Sequence, residues 1–195
     1  MESNSVSPAP LASALQIGAP APDAQLVDTE GQAITLSSLW QQGRPLVLVF
    51  LRHLGCTFCR QQLANLANDH ARFVAAGANV ACVAQGTPSV GKAYTILYQL
   101  PFPLLLCGDD LSIYRDYGLS RGTRRQLLSP IVLLRGFASV FQGHKQTQVV
   151  GDGHQLGGAF IIDITGTMRH IHRNADYSDN ARNPALLEAL TILFK

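Results

Sequence analysis

Charge is what this chain has least of. Asp, Glu, Lys and Arg make up only 14% of its 195 residues, against roughly 25% in an average globular domain. The formal net charge is only +2, which argues against a polyanionic partner, so nucleic acid is not expected. Long apolar runs are missing too. No stretch reaches the length of a membrane span, so none is expected. Residues 1–18 lack a basic segment ahead of an apolar one, so no secretory signal is expected, and their Ser, Ala and Pro content predicts a mobile arm. No Gly-x-Gly-x-x-Gly follows a strand, so no bound organic cofactor is implied. No His-x-x-x-His or carboxylate cluster has ligand spacing, so no metal is expected. No internal repeat is visible. Cysteine is scarce, with four in the chain. Without a signal peptide, that suits a reducing compartment, here expected to be the cytoplasm, where a Cys-x-x-Cys is catalytic more often than structural. What remains is 47% apolar and long enough for one full-sized core. A surface so poor in charge also suggests a homodimer contact.

The chain is organised around Pro45 to Leu66. Pro45-Leu-Val-Leu-Val-Phe-Leu51 is a continuous apolar run, as in a strand buried on both faces of a parallel sheet. Cys59, Leu63, Leu66, Phe73 and Val74 fall on one helical stripe, and Gly77 follows as a stop. Between strand and helix stands Gly55-Cys56-Thr57-Phe58-Cys59. Cys56 is therefore expected near a helix N-cap, with Cys59 about one turn in. Free backbone N–H groups and the helix dipole favour a thiolate at that place. Arg52 and Arg60 flank the turn and add positive potential. Cys59 faces the core, so Cys56 is expected to be the exposed, attacking sulfur and Cys59 the shielded, resolving one. Two other readings compete: half a zinc site, or two inert core cysteines. Zinc normally needs a second Cys pair or added histidines, and Cys82 and Cys107 are isolated. Redox chemistry fits the pattern better.

Along the rest of the chain, residues 25–35 read as a small hairpin and residues 36–40 as a short helix with a Ser or Thr cap. Asn79–Ala84 is a second buried strand. A helix runs from Thr87 to about Leu100, a third strand over 101–106, and a short helix over 109–117. Strand and helix alternate, which predicts a parallel α/β sheet with right-handed crossovers. Residues 119–158 break the alternation and read as an insertion over one end of the sheet. Within it, Arg121, Arg124 and Arg125 form a solvated basic loop or an anchor for an anionic carboxylate, and residues 129–141 are apolar enough for a helix. Ala159–Ile164 and Met168–His172 form a hairpin around a Gly turn. His170 and His172 share one face of its second strand, and His144 and His154 lie in loops; hydrogen-bonded or solvated histidines are expected. Pro184–Phe194 is a closing helix.

Three stretches then resemble a known family. They are Gly18-Ala-Pro-Ala-Pro-Asp through Leu36, Val47-Leu-Val-Phe-Leu-Arg-His-Leu-Gly-Cys-Thr-Phe-Cys-Arg60, and Gly158-Ala-Phe-Ile-Ile-Asp-Ile-Thr-Gly-Thr-Met-Arg-His-Ile171. They are similar to the alkyl hydroperoxide reductase/thiol-specific antioxidant family, the peroxiredoxins. The phrases around Cys56 and Gln155-Leu-Gly-Gly158 resemble its redox-regulatory branch, which includes prostamide-synthase-like members. The resemblance implies an α/β, thioredoxin-like (peroxiredoxin-type) three-layer fold over residues 19–195, a central mixed sheet flanked by helices. It implies a thiol-dependent antioxidant that reduces hydroperoxides or disulfides through Cys56 and Cys59, with Arg52, Thr57 and Arg60 in support. A thioredoxin or glutathione-type system would be the reductant. An NADPH-linked lipid endoperoxide reductase is a second enzymatic reading, and a redox-sensing or partner-binding module with little turnover a third. The family pattern Pro-x-x-x-Thr-x-x-Cys, laid on Phe50 without a gap, puts Arg52 at the proline, Cys56 at the threonine and the peroxidatic sulfur at Cys59. The family's peroxide-orienting arginine falls at Gly157, and the cis-proline of thioredoxins is replaced by Gly157-Gly158. Exposure and the thioredoxin analogy choose Cys56 as nucleophile; the peroxiredoxin register chooses Cys59.

Overall fold

A computed structural model gives the fold and describes residues 15–123 and 151–194. Its central strand is β3 (Leu46–Phe50), in which every residue is buried. Around it lie β1 (Gln25–Val27), β2 (Ala33–Thr35), β4 (Asn79–Ala84), β5 (Leu104–Leu106), β6 (Gly158–Ile162) and β7 (Met168–Arg173). The order across the seven-stranded sheet is β2-β1-β5-β4-β3-β6-β7. β3, β4 and β5 run parallel, whereas β6 pairs antiparallel to β3 and β7 antiparallel to β6. The sheet is therefore mixed, and the fold is α/β of the thioredoxin and peroxiredoxin type.

Alternation along β3 divides the core, because successive side chains point to opposite faces. Val47 and Val49 join a cluster with Leu63, Leu66, Phe73, Leu186 and Leu190. These come from α1 (Thr57–Ala75) and the closing helix α4 (Asn183–Leu193). Helix α2 (Pro88–Tyr98) adds Val90 and Tyr94 on the same side. Leu46, Leu48 and Phe50 face the other way, onto Tyr114, Tyr117, Leu36 and Trp40. This second layer is built from α3 (Ser112–Asp116) and a 3-10 turn over Leu36–Leu39. Phe50 packs edge-on to Tyr114 and Phe160, with ring centroids 5.1 and 5.6 Å apart.

Most expected elements form, with informative differences at their ends. The third strand is confined to Leu104–Leu106, because Pro101 and Pro103 lack the N–H a ladder needs. The 3-10 turn has no side-chain cap from Thr35; Asp23 instead accepts from the Ser37 N–H at 2.8 Å. Val74, placed on the apolar stripe of α1 by its spacing, is 42% exposed, because its neighbour Phe73 takes the buried position in that turn. Gly77 does end α1, in a left-handed conformation at φ 79°.

The chain is docked by Leu15, whose carbonyl accepts from Arg173 at 2.6 Å, and Gly18 donates to Met168 at 2.8 Å. Residues 15–18 are thus fastened rather than part of an arm; residues 1–14 lie outside the described residues. So do the apolar stretch 129–141, Arg124, Arg125 and His144 of the expected insertion. The two ends of that span are described, and they pair: Arg121 bridges Gln155, and Gly122 donates to the His154 carbonyl at 2.7 Å. Arg121 also forms an ion pair with Asp152 at 2.9 Å, so it is not simply solvated. Among the described residues no helix is long and apolar enough to cross a membrane.

Candidate active site

The site begins where β3 leaves the sheet. The Leu51 N–H donates to Val83 at 2.8 Å, and the Leu51 carbonyl accepts from the Tyr114 hydroxyl at 2.7 Å. With both backbone groups of Leu51 held, the chain turns through Arg52-His53-Leu54-Gly55. The turn closes with Cys56 N–H donating to His53 at 3.1 Å. Cys56 has extended backbone angles and stands at the N-cap of α1, and its carbonyl accepts the first helical bond, from Arg60 at 3.0 Å.

Both cysteines are free thiols, and the structure brings them together. It also removes the expected difference in access: Cys56 is 0% exposed and Cys59 3%. Cys56 was expected at the surface because an N-cap commonly is. Here Cys56 is folded into the apolar cluster on the α1 side of the sheet, with Leu54, Leu156 and Tyr177 among its members.

The electrostatics still separate the two sulfurs. Arg52 Nη2 donates to Cys56 Sγ at 2.7 Å. Burial works against a Cys56 thiolate, but a hydrogen bond from the Cys59 thiol, the Arg52 charge and the Cys59 N–H outweigh it. The balance brings Cys56 down to about 6. Cys56 makes no regular side-chain cap bond, so the guanidinium and the neighbouring thiol matter more than the helix end alone. Cys59 moves the opposite way, well above an ordinary thiol, through burial and through donating to the Cys56 sulfur. One proton shared unequally by two adjacent thiols is the expected behaviour of such a pair.

Arg52 is itself buried and well packed. Its guanidinium lies 4.6 Å from the Tyr177 ring centroid, a cation–π contact, and its Nη1 reaches the Gly153 carbonyl at 3.5 Å. The Tyr177 hydroxyl bonds His154 Nδ1 at 2.7 Å. His53 is buried beside Arg52 with Nδ1 unpartnered among the described residues. Burial, then the Arg52 charge, lowers His53 to about 4, against the pull of Asp152.

Of the remaining sequence-derived candidates, Thr57 opens α1 and is buried. Arg60 is directed elsewhere: its Nε donates to the Tyr98 hydroxyl at 2.9 Å, and its guanidinium lies over Tyr94. Its charge serves the α1–α2 contact. His172 Nε2 donates to the Asp179 carbonyl at 3.0 Å, and no cluster suited to a metal occurs among the described residues. Sequence reasoning missed Gln85, Gly153, His154 and Tyr177. They reach the site from 33 to more than 100 residues away, and only the Gln155-Leu-Gly-Gly phrase next to two of them gave any signal.

The two glycines in place of the family's arginine and the thioredoxin cis-proline have a steric reason. A Cβ at Gly157 would overlap the Phe50 carbonyl oxygen, and one at Gly158 would stand 2.6 Å from the His172 oxygen. Backbone approaches the strand end too closely here for any side chain.

A family model, that of the AhpC/TSA family, matches residues 17–171. The chain belongs to the AhpC/TSA family. It is 37% identical over 78 residues to the chloroplastic thioredoxin-like protein AAED1 of Arabidopsis thaliana, 40% of this chain and 30% of that protein. It is 32% identical over 84 residues to the chloroplastic peroxiredoxin Q of Populus jackii, 43% of this chain and 38% of that one. These two alignments span well under half the length of either relative. A longer alignment, 28% identity over 151 residues, joins it to the prostamide/prostaglandin F synthase of Salmo salar, covering 75% of this chain and 74% of that protein. The crystal structure of peroxidoxin BcpB from Mycobacterium tuberculosis superposes with a TM-score of 0.64 at 16% identity, over 93% of this chain and 99% of that one. That likeness establishes the AhpC/TSA fold, and the family resemblance drawn from the sequence stands.

Proposed function

We propose that this AhpC/TSA protein is a thiol-dependent antioxidant oxidoreductase in which Cys56 attacks and Cys59 resolves. The observation that supports it most is the Arg52 guanidinium 2.7 Å from the Cys56 sulfur, with the Cys59 thiol donating to the same atom. A thiolate is the nucleophile in this chemistry, and Cys56 is the sulfur kept anionic near neutral pH. The raised Cys59 keeps its proton until it is needed.

With a hydroperoxide, the Cys56 thiolate attacks the terminal peroxide oxygen. An S–O bond forms, the O–O bond breaks, and the alkoxide leaves as an alcohol after taking the Cys59 proton. Cys59, now a thiolate, attacks the Cys56 sulfenic sulfur; the S–S bond forms and hydroxide departs as water with one proton from solvent. The peroxide has gained two electrons and the dithiol has lost them. A dithiol of the thioredoxin type, or glutathione, restores both thiols by exchange and is itself oxidised. With a disulfide substrate, Cys56 forms the mixed disulfide and Cys59 releases the reduced substrate. On this reading the activity belongs in a reducing compartment such as the cytoplasm, where reductants of that kind act.

The test is peroxide consumption coupled to thioredoxin and its NADPH-dependent reductase, with hydrogen peroxide, an alkyl hydroperoxide, a lipid endoperoxide and a model disulfide in parallel. Cys56→Ser should abolish turnover on every substrate. Cys59→Ser should react once, accumulate a sulfenic acid and stop. Turnover retained in Cys56→Ser would move the attacking role to Cys59, as the peroxiredoxin register has it. A redox sensor is the second reading, supported by the burial of both sulfurs. It would oxidise stoichiometrically and fail to cycle.

A further inference from the structure

Among the described residues, no carboxylate pairs with the guanidinium that holds Cys56. Among the described residues its neighbours are the Cys56 sulfur, the Gly153 carbonyl and the Tyr177 ring, and its Nε is buried without a partner. Its position must be set by its own backbone and by the 151–155 loop. A single buried side chain grips both. Gln85, 1% exposed, follows the last residue of β4. Its Nε2 donates to the Arg52 carbonyl, a short contact at 2.5 Å, and to the Asp152 carbonyl at 3.2 Å. Its Oε1 accepts from the Asp152 N–H at 2.6 Å. One amide thus satisfies three backbone groups, from two segments a hundred residues apart in sequence.

The packing leaves the amide no alternative. Gly151, at φ 81°, lies so close that a Cβ there would run into Gln85 Oε1. Asp152 is fixed in turn, its side chain accepting from the His154 N–H at 2.9 Å and pairing with Arg121 at 2.9 Å. The loop therefore delivers the Gly153 carbonyl to Arg52 Nη1 from one side while Gln85 anchors the Arg52 main chain from the other.

We propose that Gln85 is a positioning residue: it holds the Arg52 backbone and the 151–155 loop in register, so that the guanidinium stays against the Cys56 sulfur. The inference rests on Cys56 being the attacking thiolate. Gln85 touches neither sulfur, and no sequence motif marks it. Burying an amide with all its hydrogen bonds made is stabilising, whereas removing it leaves Arg52 and Asp152 with unpaired buried backbone groups. What separates positioning from plain stability is the state of the sulfur.

The experiment measures the pH at which Cys56 becomes half alkylated by brief, limiting iodoacetamide, read on the Cys56 peptide by mass spectrometry. The intact reduced protein is compared with Gln85→Met, Gly151→Ala and Asn183→Leu. Gln85→Met keeps length and volume but loses all three hydrogen bonds. Gly151→Ala pushes on the amide from an exposed loop position and serves if Gln85→Met fails to fold. Asn183→Leu removes a second buried amide, bonded to Asn65 and Asp69 between α1 and α4 and outside the 151–155 loop, and reports general loosening. In Gln85→Met and Gly151→Ala the midpoint should rise, leaving roughly tenfold less thiolate at pH 6, with Asn183→Leu unchanged. A low wild-type midpoint that neither loop variant moves would overturn the role of Gln85 alone. An equal rise in all three would reduce it to general stability and overturn it too. A wild-type midpoint already at the ordinary thiol value would instead defeat the assignment of Cys56, and the role of Gln85 with it.

Discussion

Arg52 and Cys56 stand four residues apart in sequence and 2.7 Å apart in space, guanidinium to sulfur, in a site closed to solvent. The geometry follows from the turn between them: β3 ends, the His53 carbonyl accepts from the Cys56 N–H, and the Arg52 side chain folds back over the new helix end. A charge pair of this kind is costly to break from one side, because the remaining charge is left buried and alone. Several consequences can be measured.

Replacing Arg52 by Met should return the Cys56 alkylation midpoint from about 6 toward that of an ordinary thiol. The rate at pH 7 is the wrong measure. A more basic thiolate is intrinsically more nucleophilic, with a Brønsted slope of about 0.4–0.5, and that largely offsets the smaller thiolate fraction. At pH 6 the fraction dominates, and the rate should fall by roughly tenfold. Arg52→Lys should recover only part of the effect, since an ammonium cannot both donate to the sulfur and stack on Tyr177.

Forming the Cys56–Cys59 disulfide would erase the thiolate and strand the guanidinium. The reduced state is therefore favoured and the couple should be comparatively oxidising. Each tenfold gain in reduced-state stability corresponds to roughly 30 mV for a two-electron couple. Equilibration with glutathione buffers should show Arg52→Met lowered by about 30–60 mV. An unchanged potential would mean that the guanidinium finds an equal partner in the oxidised protein.

His53 gives a pH dependence of defined sign. Its folded value, about 4, is below its ordinary 6.5, so as pH falls the unfolded chain takes up the proton first. The neutral ring supports the fold fully above pH 6.5, and that support drains away between 6.5 and 4. Urea midpoints of the reduced protein should fall across this window by more than those of His53→Leu. The two proteins should differ least in slope above pH 7.

Gly157→Ala should destabilise without touching a functional group. The new methyl would overlap the Phe50 carbonyl oxygen, and relief requires moving backbone. Overpacking of this kind costs on the order of 1–3 kcal/mol, which for a chain of this size lowers Tm by about 2–4 °C per kcal/mol. Thermal melts of oxidised and reduced protein should both show it.

Much of this was readable in the chain, and the limits have physical causes. Strand β3, helix α1 and the Cys-x-x-Cys at their junction were legible because each is local: a run of apolar residues, a 3.6-residue stripe, a stopping glycine. The turn around Cys56 also announced a favoured anion. That Arg52 rather than Arg60 supplies the charge was not legible, since both flank the turn; the choice depends on Tyr94 and Tyr98 drawing Arg60 onto α2. The surroundings of Arg52 were invisible for a different reason. Tyr177 and the 151–155 loop arrive through the topology of β6 and β7, and no spacing near the cysteines reports them.

A reactive atom with no exposed surface turns the site into a door rather than a bowl. At low reagent concentration, trapping of Cys56 should scale with the amount of reagent. At high concentration it should level off at the frequency with which the door swings. Discrimination among oxidants would then be exercised at the opening step, before any chemistry begins, and stray electrophiles that never wait at the threshold would leave the sulfur untouched.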